Sequence, residues 1–284
     1  MTSLSRTLLL TIIAMVAFAA NSVLARLALI DGAAGAGGYT AIRIISGAVF
    51  MGVLMALRQG TASALWQGSW TGPLALLSYA VFFSYAYLAL GAGLGAVILF
   101  FMVQMTMIDW GLYKGETLRL LQWIGLISAF AALVWLLYPA ATAPPLLAVF
   151  AMILAGASWG VYSLIGRGTT DPAGATTGNF IRAAIICLPL VPIVVLTGET
   201  APTVMGVLYA LLSGIVASGI GYTIWYAALP GLSATQAGAA QLSVPAIAAA
   251  GGILFLAEPL TLRFVVASAI ILGGVALATL VKKG

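Results

Sequence analysis

From Leu8 to Ile30 the chain is mostly apolar and carries a single charge, Arg26, and runs of this kind recur to its far end. A helix needs about 20 apolar residues to cross the hydrocarbon core of a bilayer. Soluble domains carry about 25% charged residues, whereas this chain of 284 residues is 63% hydrophobic and only 6% charged. Its length leaves room for about ten helical spans with short connections. Membrane barrels alternate apolar and polar residues in segments of about ten, and no such alternation occurs here. The fold class expected is an all-α polytopic membrane protein.

Breaks at Gly, Pro and charged clusters place the spans near residues 6–30, 37–57, 70–90, 94–113, 118–138, 145–166, 175–197, 202–227, 233–256 and 261–281. The opening segment has one cation, an apolar run and Ala17-Phe18-Ala19, features shared with cleavable leaders. A cut there would remove the first copy of a repeated stripe, so the segment is read as a retained span. Ten spans put both termini on one face, together with Arg6, Arg58, Lys114, Arg119, Arg167, Lys282 and Lys283. Cations concentrate on the cytoplasmic side, so both termini are expected there.

Composition also removes several kinds of function. Histidine is absent and Cys187 is the only cysteine, so disulfides, Cys/His metal clusters and a metal cofactor are not expected. The net charge of +5 is scattered among connections, unlike a nucleic-acid footprint. A lipid-acting enzyme would need an acid, base, nucleophile or metal cluster, and the six acids are dispersed, so no enzyme is expected. A channel would show a filter-like loop or a charged ring.

One stripe is written twice. Phe18-Ala-Ala-Asn-Ser-Val-Leu-Ala-Arg26 and Trp159-Gly-Val-Tyr-Ser-Leu-Ile-Gly-Arg167 share an aromatic start, a central serine and a terminal cation. A shift of about 140 residues pairs Ser22 with Ser163, Arg26 with Arg167, Arg43 with Arg182, Phe83 with Tyr222, Tyr87 with Tyr226, and Glu116-Thr117-Leu118 with Glu258-Pro259-Leu260. Five spans per half is an odd number, so the second half must enter the membrane upside down, an architecture common among secondary transporters. The halves divide at residues 1–140 and 141–284, around a central cavity.

Helical spacing puts Phe18, Asn21 and Ser22 on one face and Trp159, Tyr162 and Ser163 on another. Polar groups in hydrocarbon need partners, so these faces should meet protein or a wet cavity. Ser22 and Ser163 taken singly also suit helix-to-helix glue. Tyr79, Phe83, Tyr222 and Trp225 form deep aromatic stripes that serve either packing or ligand contact, while Tyr87 and Tyr226 read as interfacial belt. Gln104, Gln236 and Gln241 offer a donor and an acceptor each, for a polar substrate or for a neighbouring backbone. Pro245 should interrupt its span and free the carbonyl of Gln241. Arg26, Arg43, Arg167 and Arg182 are either snorkelling cations or gates, with Asp109 the inner partner for Arg182 or Arg167 and Asp31 the outer partner for Arg26 or Arg43.

With ten spans, two halves, paired polar motifs and Gly115-Glu-Thr-Leu118 echoed by Ala257-Glu-Pro-Leu260, the chain resembles the EamA-type members of the drug/metabolite transporter superfamily. Among them it is most similar to the bacterial aromatic amino-acid exporters. The resemblance implies export of small metabolites by alternating access across the bacterial inner membrane. Beyond substrate and bilayer no partner is expected, and the working unit is a monomer, with a dimer as the alternative. The site expected from the residues is uncharged at the midplane, so phosphorylated substrates rank behind neutral or zwitterionic ones. Multidrug or organic-cation export coupled to protons is the alternative. No carboxylate lies deep in the first span, which favours facilitated diffusion over proton coupling.

Overall fold

The computed structural model describes residues 3–30, 32–59, 69–137, 144–255 and 260–280, and every regular element among them is helical. The helices are α1 (Ser3–Ala25), α2 (Ala36–Gln59), α3 (Thr71–Tyr113), α4 (Leu120–Leu137), α5 (Leu146–Gly166), α6 (Pro172–Cys187), α7 (Val191–Leu196), α8 (Val204–Leu212), α9 (Gly221–Ala228), α10 (Ala234–Gln241), α11 (Ser243–Phe255) and α12 (Leu262–Leu280). Wider π-helical turns continue α1 over Arg26–Ile30 and join α8 to α9 over Ser213–Ile220.

Eight helical stretches are long and apolar enough to cross a membrane, and a ninth apolar helix, Leu120–Leu136, is shorter. The expected span at 175–197 is interrupted. Pro189 and Pro192 lack backbone N–H groups and cannot continue an α-helix, so a tight turn at Leu188–Leu190 separates α6 from α7.

α3 holds two of the eight stretches, Thr71–Leu90 and Leu94–Tyr113. A straight helix of 43 residues would extend about 64 Å, twice the thickness of a bilayer core. Instead Tyr79 touches Trp159 with ring centroids 4.9 Å apart, and the very next residue of α5, Gly160, packs on Thr106. Tyr79 and Thr106 therefore sit at one depth, and α3 doubles back into two antiparallel arms.

Polarity is arranged inside out. Large apolar side chains such as Ile12, Val53, Ile127, Phe150 and Leu272 are exposed around the bundle, while Asn21, Arg43, Ser163, Asn179, Ser213, Ser218 and Gln241 are buried. In water such a surface would aggregate; in lipid it is the stable one, because interior polar groups then find one another. The protein is a multi-pass membrane protein. Helix approach is closest where side chains vanish. A methyl on Gly214 would strike the backbone carbonyl of Arg43, so this glycine lets α2 lie directly on the π-helical stretch before α9.

Candidate functional site: an aromatic box between helices

Trp159 is the hub of the interior. Its ring meets Phe18 edge-on at 5.2 Å, Tyr222 at 4.7 Å, Tyr79 at 4.9 Å and Tyr162 at 5.5 Å. Four helices thus converge on one indole: α1 brings Phe18, the first arm of α3 brings Tyr79, α9 brings Tyr222, and α5 carries Trp159 and Tyr162. Beside it lies a cavity of about 30 Å³, room for one water. Phe18, Asn21, Ser22, Tyr79, Phe83, Trp159 and Tyr222 line it with Leu99, Phe100 and Val244. The spacing that put Phe18, Asn21 and Ser22 on one face of α1 therefore brings them to the same cavity as the second copy's Trp159.

Tyr162, Ser163, Trp225 and Gln241 stand one layer back and fix the walls. The Trp159 indole donates to Gln241 Oε1 at 2.5 Å, and the Gln241 amide donates to the Ala237 carbonyl at 3.2 Å. Trp225 donates to Ser163 Oγ at 3.1 Å, and Tyr226 donates to the Tyr162 carbonyl at 3.0 Å. Tyr226 is fully buried rather than part of an interfacial belt, as is Tyr87 at 4% exposure. Asn21 accepts from Ser213 at 2.5 Å, and Ser213 accepts from Tyr39 at 2.9 Å. Gln241 ends α10, and α11 starts at Ser243, two residues ahead of Pro245. The helix break read from that proline is present, and it holds the amide that orients Trp159.

Two expected ligand groups lie elsewhere. Gln104 donates to the Gly238 carbonyl at 2.7 Å, joining the second arm of α3 to α10. Gln236 sits in the first turn of α10, where backbone N–H groups lack helical partners. It closes a reciprocal capping box with Ser233 and donates to the Thr279 carbonyl at 2.6 Å. Both amide nitrogens donate to backbone carbonyls.

The charged residues depart most from expectation. Arg43 does not snorkel: it is 1% exposed, donates from Nε to Ser218 at 3.0 Å and from Nη2 to Tyr222 at 2.5 Å, and lies over the Tyr79 ring. A cation therefore stands directly behind two walls of a cavity expected to be uncharged. Arg182 is buried too, donating to the Ser69 carbonyl at 2.7 Å beside the Trp70 ring. Arg26 is half-buried where α1 widens, and Asp31, its expected partner, lies outside the described residues. So does Glu258 of the second acidic motif.

Asp109 is exposed and forms no ion pair among the described residues. The acid that meets Arg167 is Glu116, at 3.8 Å. Gly115, at φ 84°, reverses the chain after α3, and the amide of Glu116 bonds back to the Gly111 carbonyl at 2.8 Å. This turn aims the Glu116 carboxylate at the start of α10, where it accepts from Ala234 N at 2.8 Å, Thr235 N at 3.1 Å and Thr235 Oγ1 at 2.9 Å. At the opposite end of the bundle Glu199 does the same for α2, accepting from Gly37 N at 2.8 Å and from Tyr85 at 2.5 Å. Each carboxylate uses the positive end of a helix. Asp109→Asn should accordingly leave flux along a substrate gradient within about twofold of the parent, measured in vesicles with no pH difference; abolition would return Asp109 to the gate.

A larger void, about 430 Å³, is a groove between α1, α8 and α11 lined by aliphatic groups such as Val16, Val23, Val216 and Ile247. It offers no polar group to recognise a solute and faces outward like the rest of the lipid-contacting surface. The small aromatic cavity, with convergent polar groups behind it, is the candidate site.

Similar proteins agree with this architecture. Residues 146–280 match the EamA-like transporter family. An uncharacterized protein of Pseudomonas aeruginosa is 47% identical over 272 residues, 96% of this chain and 94% of its own length. An uncharacterized transporter of Archaeoglobus fulgidus is 23% identical over 200 residues, 69% of this chain and 71% of its own. A solved crystal structure superimposes with a TM-score of 0.81 at 21% identity, covering 97% of this chain and 98% of the other.

Proposed function

Because residues 146–280 match the EamA-like transporter family, we propose that the chain is a membrane transporter that exports amino acids, aromatic ones included, and related small metabolites by alternating access. The observation that carries the reading is the shared wall of the aromatic cavity. Phe18, Asn21, Tyr79 and Phe83 come from the first half of the chain, Trp159, Tyr222 and Val244 from the second. A site built between two bodies changes sides when they rock against each other. In this reading the chain makes ten crossings, counting Leu120–Leu136 and the interrupted α6–α7 segment, arranged as two oppositely inserted five-helix halves. The termini and the Glu116 clamp face the cytoplasm of a bacterial inner membrane, and the Glu199 clamp faces outward. With room for only one water, the cavity corresponds to a closed conformation that must expand to admit substrate.

Aromatic faces suit flat or bulky apolar side chains, and the amide and hydroxyls nearby suit a polar head group. Each of the four described carboxylates lies outside the cavity, which favours facilitated export down a gradient over proton exchange. The test is counterflow by purified protein in liposomes against tryptophan, phenylalanine, alanine, a sugar phosphate and a cationic dye. Exchange of the aromatic amino acids is expected. Exchange confined to the phosphate or the dye would replace the substrate assignment.

A further inference from the structure

We propose that Arg43 is the docking group for a substrate carboxylate, so that the transporter takes solutes joining an aromatic body to a free carboxylate and rejects aromatic amines that lack one. The inference rests on the transport reading of the same cavity.

The observation behind it is an incomplete ion site. Arg43 is 1% exposed, and its Nη1 has no hydrogen-bond partner, although Nε and Nη2 are held by Ser218 and Tyr222. A guanidinium is always charged in proteins, and a buried charge is costly without an opposite one. None of the four described carboxylates supplies it. Glu116 is bound at α10, Glu199 at α2, and Asp171 at the start of α6, where it accepts from Gly174 N at 3.0 Å, while Asp109 is exposed. Around the cation, among the described residues, stand only neutral groups: the hydroxyls of Ser218 and Tyr222 and the phenols of Tyr39 and Tyr79, the Tyr79 ring centroid lying 5.3 Å from Cζ.

Its position gives the vacancy a use. Tyr222 and Tyr79, which Arg43 touches, are both walls of the aromatic cavity. When the cavity widens, a carboxylate entering between these rings can take the free Nη1 and displace Tyr222 from Nη2. The two parallel bonds of a guanidinium fork fit that group. The aromatic body of the same solute then lies against Trp159 and Phe18. Ser218 keeps Nε and so holds the fork in place.

The test pairs two probes of one size and opposite charge, benzoate and benzylamine, titrated against the purified full-length protein with quenching of tryptophan fluorescence as the readout. Benzoate should bind and benzylamine should bind at least about 30-fold more weakly. Arg43→Lys, which keeps the charge and loses the fork, should weaken benzoate about tenfold, and Arg43→Gln by about 30-fold or more. No benzoate binding, benzylamine binding as tight as benzoate, or a folded Arg43→Gln that binds benzoate like the parent would overturn the proposal. Where Arg43→Gln does not fold, the parent's preference between the two probes and the Arg43→Lys variant decide. A purely structural Arg43 would lower the melting temperature on substitution and leave the head-group preference untouched. Failure of amino-acid counterflow with the benzoate preference intact overturns only the amino-acid assignment. Counterflow of tryptophan and its decarboxylated amine at equal rates overturns only the role of Arg43.

Discussion

Replacing Trp159 with Ala will lower exchange of an aromatic amino acid at least about tenfold in reconstituted vesicles, whereas Trp159→Phe will retain most of it. Each aromatic contact is worth about 0.5–1.5 kcal/mol beyond the area it buries, and Trp159 is the ring on which Phe18, Tyr79 and Tyr222 converge. Phenylalanine keeps a flat face at that point. It loses the indole N–H that Gln241 accepts at 2.5 Å, and an unpaired buried acceptor costs about 1–3 kcal/mol. The two variants therefore separate two roles: Ala reduces both flux and melting temperature, Phe chiefly the melting temperature. A folded Trp159→Ala protein with flux within twofold of the parent would remove the aromatic box from the substrate path.

What could be read from the sequence, and what could not, divides along the reach of the interactions. Residues four apart on a helix share a face, so Phe18 and Ser22 could be placed together, and the same rule aligned Tyr79 with Phe83. The missing proton of a proline is local, so the break near Pro245 was visible as well. Gln236 misled although the span was started at residue 233: with Ser233 three positions earlier it forms a capping box, so its amide serves the unmet bonds of its own first turn. Arg43 misled for a longer-range reason. Seven residues inside α2 is a distance a side chain can snorkel, and only the tertiary fold shows that Ser218 and Tyr222 lie closer than the interface. The missed residues followed the same pattern. Tyr39 stands four positions before Arg43 on α2, a polar pair that could have flagged an inward face, but Ser213, which receives its hydroxyl, is far away in sequence. Asp109 was taken as the inner acid because depth in a span was weighed without the turn at Gly115, which carries Glu116 back onto a neighbouring helix and to Arg167.

Glu199→Gln will raise the rate at which Cys187 reacts with a maleimide by about tenfold, and Glu116→Gln will lower it. Cys187 is the only thiol in the chain, is buried, and lines a void of about 190 Å³ with Gly37 and Tyr85. Those two residues are the ones Glu199 grips. A bond to a charged acceptor contributes about 1.5–3 kcal/mol and a neutral one about 0.5–1.5, so the amide weakens both bonds and lets this end of the bundle open towards the thiol. Glu116 clamps the opposite end, joining the turn after α3 to α10 and to Arg167. If the two ends open alternately, loosening the Glu116 end must draw population away from states that expose Cys187. The sign of the second effect is the decisive part, since general loosening would raise labelling in both variants and would sink the alternating scheme. The Glu116 clamp should also be insensitive to pH in the neutral range. Burial works to raise its carboxyl, but the amides of Ala234 and Thr235 and the hydroxyls of Thr235 and Ser233 outweigh it and hold the carboxyl below its ordinary value. A group with a depressed value in the folded protein stabilises above its unfolded value, about 4.3, and loses that contribution only as pH falls through the lower one. Flux between pH 6 and 8 that tracks a titration abolished by Glu116→Gln would contradict this and make Glu116 a proton carrier.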